Sequence, residues 1–320
     1  MKKFNFLFIL VLSLSLSCSS DNDPQTEDPQ NEREADTFIT AVIDIMEANS
    51  INRGTIDWED FRDQVQARVL LVSRDNALQL ALRLLGDNHS FISKEDGTYI
   101  LGNLLNCPSS NIAEVMVPDN IGYVKVGAFS GPDIPTTIAF AENIQEEIRT
   151  QDSQEIKGWI VDLRNNTGGN MWPMLSGLGP ILGEGTAGFF VEPDDSRTGW
   201  SYAQGSAIIG ESPLVTVAEP YELINPNPKV AVLLNTAVAS SGEAIAISFI
   251  GRSNTKSFGS ATCGLSTANS GFNLSDGSTL FLTTASMADR NENIYGVSIE
   301  PDMPSADEDI IQNAVTYINE

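Results

Sequence analysis

The chain has 320 residues, room for one large domain or one domain plus a smaller module, and 41% of them are hydrophobic, enough for a real core. Its net charge of -25 excludes nucleic acid as a partner, because no basic patch is available to neutralise phosphates. The same charge argues against docking on an anionic membrane through the protein surface.

The amino terminus reads as an export signal. Lys2 and Lys3 precede a stretch from Phe4 to Leu16 that is apolar apart from Asn5 and two serines. That is too short to span a bilayer as a mature helix. The stretch ends Leu14-Ser15-Leu16-Ser17-Cys18, which resembles the lipobox of bacterial lipoproteins, where the cysteine becomes the lipidated first residue. Residues 1–17 are thus expected to be a signal peptide and Cys18 the lipidation site. Residues 18–36 carry Asp, Asn, Glu, Gln and Pro with almost nothing apolar, and are expected to be an acidic disordered tether. The start, Ser19-Ser20-Asp21-Asn22-Asp23, resembles the leader of lipoproteins exported to the surface of some Gram-negative bacteria. The expected location is the cell envelope of a bacterium, with Cys18 anchored in the outer membrane on its periplasmic or surface face. Cys107 and Cys263 remain. Two separate thiols are expected, since nothing in the sequence brings their Cα atoms within bonding reach.

Residues 37–95 read as a helical subdomain. Phe38, Val42, Ile45 and Met46 form one stripe. Asp57 is placed to cap a helix that carries Trp58, Phe61, Val65 and Val69. Ser73 is placed to cap another, with Ala77, Leu80, Ala81, Leu84 and Leu85 inward and Gly86 as its stop. Residues 96–120 are expected to be a linker, and 121–320 the core. Tyr123 to Phe129 alternates like a strand with one wet face. Ile138, Ile144 and Ile148 suggest a helix opening near Pro135. Trp159-Ile160-Val161 is a short apolar strand, and Val230 to Leu234 is apolar throughout, as in a strand buried on both faces. A helix is expected over Glu243–Ile250 and a strand over Leu280–Thr284. Strands alternating with helices argue an α/β fold. Residues 177–228, rich in Gly, Pro and polar residues, read as an elaborated insertion.

The chemistry on offer is limited. His89 is the one histidine, which excludes His-pair zinc motifs. There is no G-x-S-x-G elbow, P-loop or dinucleotide glycine fingerprint. Neither metal nor cofactor is expected. Asn235-Thr236-Ala237-Val238-Ala239-Ser240-Ser241-Gly242-Glu243 lies between the buried strand and the next helix. A serine there stands near unpaired helix N–H groups, as an oxyanion site requires. Ser-x-x-Glu is also the capping-box pattern, so Ser240 reads equally as a helix cap. Asp162-Leu163-Arg164-Asn165-Asn166-Thr167-Gly168-Gly169-Asn170 follows the other strand. Its glycine pair is either a plain turn or a place where backbone N–H approaches a ligand.

The first of these segments resembles the T-A-S-A-S-E segment of tail-specific (C-terminal processing) serine peptidases, and the second their D-L-R-x-N-x-G-G segment. Phe258-Gly259, Leu274-Ser275-Asp276-Gly277 and Ile299-Glu300-Pro301-Asp302 match further landmarks in order, so the resemblance covers residues 121–302. It implies a crotonase-like (ClpP-like) α/β core preceded by a small N-terminal helical subdomain. Too few residues separate His89 from Tyr123 for the PDZ domain many relatives carry. The resemblance also implies Ser240 as nucleophile, with an oxyanion hole from the N–H of Gly168 or Gly169 and that of Ser241. The lysine of the Ser/Lys members falls at Leu265, and Lys256 lies on the wrong side of the Phe-Gly landmark, so a Ser/Lys dyad is not expected. Ser240-Ser241-Gly242-Glu243 is similar to the Ser-Asp-Gly-Asp of the tricorn-like branch. Leu85-Gly86-Asp87-Asn88-His89-Ser90 looks like that branch's histidine segment. This implies His89 as base, with activity rising through a pKa of about 6.5. Glu292, in a run similar to that branch's Glu before Asn-x-Gly-Val, is the expected third residue, with Glu300 as competitor. The expected function is hydrolysis of extended peptides or unfolded protein tails by a lipid-anchored serine endopeptidase. The alternative is a non-catalytic peptide- or small-lipophile-binding lipoprotein on the same fold.

Overall fold

The computed structural model describes residues 29–112, 115–131 and 133–320. The expected signal peptide, Cys18 and the tether up to residue 28 lie outside the described residues. Helix α1 (Pro29–Asn49) takes up the rest of the expected tether. Proline suits a first helical position, and Glu32, Arg33, Glu34 and Ala35 are good helix formers, so the helix runs back beyond its apolar stripe. Helix α2 (Trp58–Leu71) is capped by Asp57, which accepts from the Asp60 amide. Ser73 caps α3 (Arg74–Leu84) in the same way, and Gly86, at φ +72°, ends that helical segment.

Two sheets form the rest. The first is parallel, in the order β13-β10-β9-β4-β3. These strands are Met303–Pro304, Thr255–Gly259, Lys229–Leu234, Gly158–Asp162 and Ile121–Lys125. One face packs Ile160, Ala231, Leu233 and Phe258 against helix α7 (Ile310–Asn319). The other packs Val161, Val230, Val232 and Leu234 against α4 (Ile134–Gln151), α5 (Met171–Leu182) and α6 (Ser241–Phe249). This is the expected α/β core, and β4 from Trp159 to Val161 and β9 from Val230 to Leu234 are apolar at every position, because both faces are covered.

The second sheet is antiparallel. It contains β1 (Phe91–Ser93), β2 (Tyr99–Leu101), β5 (Gly185–Val191), β6 (Arg197–Ala203), β7 (Ser206–Ile209), β8 (Ser212–Thr216), β11 (Thr267–Asn273) and β12 (Thr279–Asp289). Their order is β2-β1-β12-β5-β6-β7-β8, with β11 on the other edge of β12. Ile92, Ile100, Leu280 and Leu282 on one face bury the apolar stripes of α1, α2 and α3. The segment read as an insertion therefore supplies the end of α5 and four strands of this sheet. Its glycines suggested loops, but Gly188 sits in β5 because the Trp200 ring occupies the space a side chain would need. The segment read as a linker begins with β2 and continues as a strap over the parallel sheet. There the Ser110 amide donates to Asn165 Oδ1 (3.1 Å) and Thr236 Oγ1 donates to the Pro108 carbonyl (3.1 Å).

Cys107 of this strap is joined to Cys263 by a disulfide, with Cα atoms 5.3 Å apart. This corrects the expectation of two separate thiols. The two positions are 156 residues apart, and only the crossing of the strap over the end of β9 brings them together. Closing so long a loop should restrict the unfolded chain. Replacing both cysteines by alanine is expected to lower stability by about 2–4 kcal/mol in urea unfolding, and a double variant as stable as the parent would contradict the pairing.

Candidate active site

Strands β4 and β9 pair in parallel, with Val161 opposite Val232 and Asp162 opposite Leu233. Their carboxyl ends therefore open side by side, and the two loops that follow are in contact. Asn166 is their bridge. Its carbonyl accepts from the Ala239 amide (3.0 Å), and its Nδ2 donates to the Val126 carbonyl (3.1 Å). Its Oδ1 accepts from the Gly168 amide (3.0 Å). Gly168 has φ +102°, and a Cβ there would lie 2.9 Å from Ser240 Cβ. Both the backbone conformation and the space require glycine. Ser241 Oγ donates to the Gly169 carbonyl at 2.6 Å, which clips the glycine turn to the start of α6.

Ser240 precedes α6 with φ 53° and ψ -119°, a costly conformation for a residue with a side chain. The conformation is held by Glu243, whose Oε2 accepts from the Ser240 amide at 3.0 Å. Glu243 is fully buried. It also accepts from the Thr262 hydroxyl and from the Gly264 amide at 2.9 Å, the residues on either side of Cys263. Burial pushes the Glu243 carboxyl up, and the hydrogen bonds from Thr262 and the Gly264 and Ser240 amides oppose that rise. The disulfide thus ties the strap to the loop that positions the serine.

His89 comes from the other sheet, in the loop between α3 and β1. Its Nε2 lies 3.0 Å from Ser240 Oγ and its Nδ1 lies 2.9 Å from Thr267 Oγ1. The Asp87 carboxylate shapes the loop by accepting from the His89 amide (2.9 Å) and the Ser90 amide (2.7 Å). Asn269 Nδ2 donates to the His89 carbonyl at 2.9 Å. When Nδ1–H donates to Thr267, the Nε2 lone pair is left for the Ser240 proton. Burial holds the His89 imidazole down at about 4, with Asp87 pulling weakly the other way, so the ring is neutral at physiological pH.

Glu292 is not part of this cluster. It is exposed and takes Arg197 Nη1 at 2.6 Å, and Glu300 is exposed as well. In a chain with 43 acidic residues, surface carboxylates fall beside many motifs. The run that pointed to Glu292 does reach the site, by another route. Ser266 Oγ donates to the Val297 carbonyl (2.6 Å) and accepts from the Gly296 amide (2.9 Å), and this fixes the residue next to Thr267. Sequence reasoning missed Thr267, because a lone threonine carries no charge or spacing signal. Leu265, at the expected lysine position, has no group to take a proton, and Lys256 is exposed on β10. Of the amides expected to form an anion site, that of Gly168 is engaged by Asn166, whereas among the described residues those of Gly169 and Ser241 have no partner.

The site thus holds a hydroxyl against a neutral imidazole, with two free amides in the loops beside it. His89, as the one histidine, gives a single imidazole signal in NMR. Its titration midpoint in the folded protein is expected near 4, and a midpoint at the ordinary value of about 6.5 would refute the burial of the ring. Between about 6.5 and about 4 the unfolded chain takes up a proton that the folded chain does not. His89 therefore removes stability as pH falls through that window.

The model of Peptidase family S41 matches residues 120–305. A nisin-resistance protein from Lactococcus lactis subsp. lactis is 33% identical over 71% of this chain and 68% of its own length. The carboxy-terminal processing protease CtpA of Bacillus subtilis is 28% identical over 56% of this chain, which spans a third of that protein's length. A solved lipoprotein structure from Streptococcus agalactiae superposes with a TM-score of 0.70 at 23% identity, covering 96% of this chain and 99% of that one. That likeness is one of fold. With more than half of the residues matched by the family model, the chain belongs to peptidase family S41, a family of serine peptidases.

Proposed function

We propose that the chain is a serine endopeptidase that cleaves extended peptides or unfolded protein tails outside the cytoplasm. The observation that carries this reading is the 3.0 Å contact between Ser240 Oγ and His89 Nε2, within hydrogen-bond reach of a nucleophile and its base. In this reading His89 takes the Ser240 proton as Oγ attacks the peptide carbonyl, then gives it to the leaving amine. The Gly169 and Ser241 amides stabilise the tetrahedral oxyanion. Thr267 orients the imidazole but, being neutral, offers no counter-charge to the imidazolium. Catalysis then leans more on the oxyanion donors. The relative named for nisin resistance makes nisin a first peptide to try.

Ser240→Ala and His89→Ala are each expected to lower peptide hydrolysis by about a thousandfold or more, while Lys256→Ala changes little. The low imidazole value moves the acid limb of kcat/KM to near pH 4 instead of the ordinary histidine range. A His89→Ala enzyme of near-normal rate would sink the assignment.

One observation favours the alternative of a non-catalytic binder: among the described residues no carboxylate is hydrogen-bonded to His89 Nδ1. A fluorophosphonate probe separates the two. Labelling at Ser240 supports the enzyme, and clean failure with folded protein supports the binder.

We also propose that Cys18 is the lipidated first residue of the mature chain and anchors it in the bacterial outer membrane. The support is the short apolar signal and the small residues before Cys18. Mass spectrometry of the mature protein is expected to find a lipidated Cys18 amino terminus, and any other amino terminus refutes it.

A further inference from the structure

The antiparallel sheet breaks a rule on one of its faces. An antiparallel sheet with one face packed normally shows polar side chains on the other. Here Ile92, Ile100 and Leu280 face the helices, yet four of the residues that alternate with them, Phe91, Tyr99, Leu101 and Phe281, are also large and apolar, beside the polar pair Ser93 and Thr279. Leu101, Phe91 and Phe281 lie in one row across three strands, since Phe91 pairs with both Leu101 and Phe281. The Phe91 and Phe281 rings stack at 4.8 Å, and Tyr99 meets Phe91 edge-on at 5.9 Å. Tyr99 is 60% exposed and Leu101 37%. The row continues to Gly271 of β11, opposite Phe281. Gly271 leaves the Phe281 ring uncovered on that side, although a Cβ there would make ordinary contact with the ring at 3.7 Å.

The register connects this row to the candidate site. Two residues along β12 from Phe281, about 7 Å away, is Thr283, which is paired with Asn269. Thr283 Oγ1 donates to Asn269 Oδ1 (2.9 Å), and Asn269 Nδ2 holds the His89 carbonyl. The backbone of His89 therefore lies over the same sheet face as the aromatic row, one step of the pleat further on.

We propose that the face formed by Tyr99, Leu101, Phe91 and Phe281 is a docking platform for apolar side chains of an extended polypeptide bound across Ser240 and His89. This rests on the peptidase reading and narrows its substrate class to segments with apolar residues at a distance from the cleaved bond. Continuity with the site favours a polypeptide occupant. The net charge of -25 disfavours an anionic lipid surface. Tyrosine and phenylalanine supply contact area at low entropic cost, as a surface that must take varied sequences requires.

The test uses the full chain with Ser240→Ala and two fluorescent extended peptides of equal length and charge. One carries apolar residues away from the centre, and the other carries serine in their place. The apolar peptide is expected to bind about tenfold more tightly, the scale of partly burying two apolar side chains. Adding Tyr99→Ser and Leu101→Ser should remove that preference. Adding Leu70→Ser and Leu71→Ser, equally apolar positions exposed at the end of α2, should retain it. In the chain with Ser240 intact, the same pair on the face should raise KM for the apolar peptide more than it lowers kcat. An unchanged preference after Tyr99→Ser with Leu101→Ser overturns the proposal. So does loss of a dimer, by sedimentation, with KM unaffected, which would assign the face to a second copy. Failure of the peptidase reading looks different: neither peptide is hydrolysed, although the face-dependent binding persists.

Discussion

The pairing of β4 with β9 is the constraint on which the rest depends. Because the strands are parallel neighbours in register, the loops after their carboxyl ends must lie beside each other, and one carries the glycine pair while the other carries Ser240. Asn166 converts this proximity into fixed geometry. It uses its backbone carbonyl on one loop and its side-chain oxygen on the other, so the two loops are joined through one residue. The strand below is itself anchored by a buried ion pair. Arg164 donates to Asp162 with both Nε (2.9 Å) and Nη2 (2.6 Å), and the Tyr123 hydroxyl donates to the same carboxylate at 2.8 Å. A buried charge so fully partnered fixes the start of the glycine loop, although it adds little net stability over an apolar pair.

Ser240 itself is held against its conformational preference. A non-glycine residue at φ 53° and ψ -119° stays there only if its surroundings over-determine it. They do so through Glu243, which gathers the Ser240 amide and the loop on both sides of Cys263 around one buried carboxylate. Desolvation raises that carboxyl and the donors restrain it. The disulfide then couples this loop to the strap that crosses the parallel sheet.

The imidazole approaches from the antiparallel sheet, so the Ser240–His89 contact exists only where the two sheets meet. Its environment is unusual electrostatically. Asp87, the carboxylate whose charge acts on the ring, is occupied with backbone amides of its own loop, and the group facing Nδ1 is a hydroxyl. Burial without a facing charge explains why the ring is held near 4. The same sheet face carries a row of half-buried and exposed aromatic side chains, where an outward face would ordinarily be polar.

Local patterns determined much of this molecule without help from tertiary structure. Asp57 and Ser73 cap helices where their side chains reach the third amide onward, and Gly86 ends a helical segment where φ must be positive. An unbroken apolar run marked β9 as a strand covered on both faces, and a shorter one marked β4 as a strand. The strand–serine–helix and strand–glycine-pair segments, read together with the single histidine, named the groups that meet in the site. Tertiary structure alone decided the remainder. Thr267 faces His89 because β11 pairs with β12 from a loop far along the chain, and one hydroxyl among many leaves no mark in a sequence. Glu292 went to Arg197 instead, since in an acidic chain a motif-adjacent carboxylate is paired by whichever cation packs near it. Gly188 joined a strand because Trp200 fills its missing side chain's place. Cys107 met Cys263 because a strap crosses a strand end 156 residues away. Each of these depends on distance in space between segments remote in the chain, which residue type and spacing do not encode.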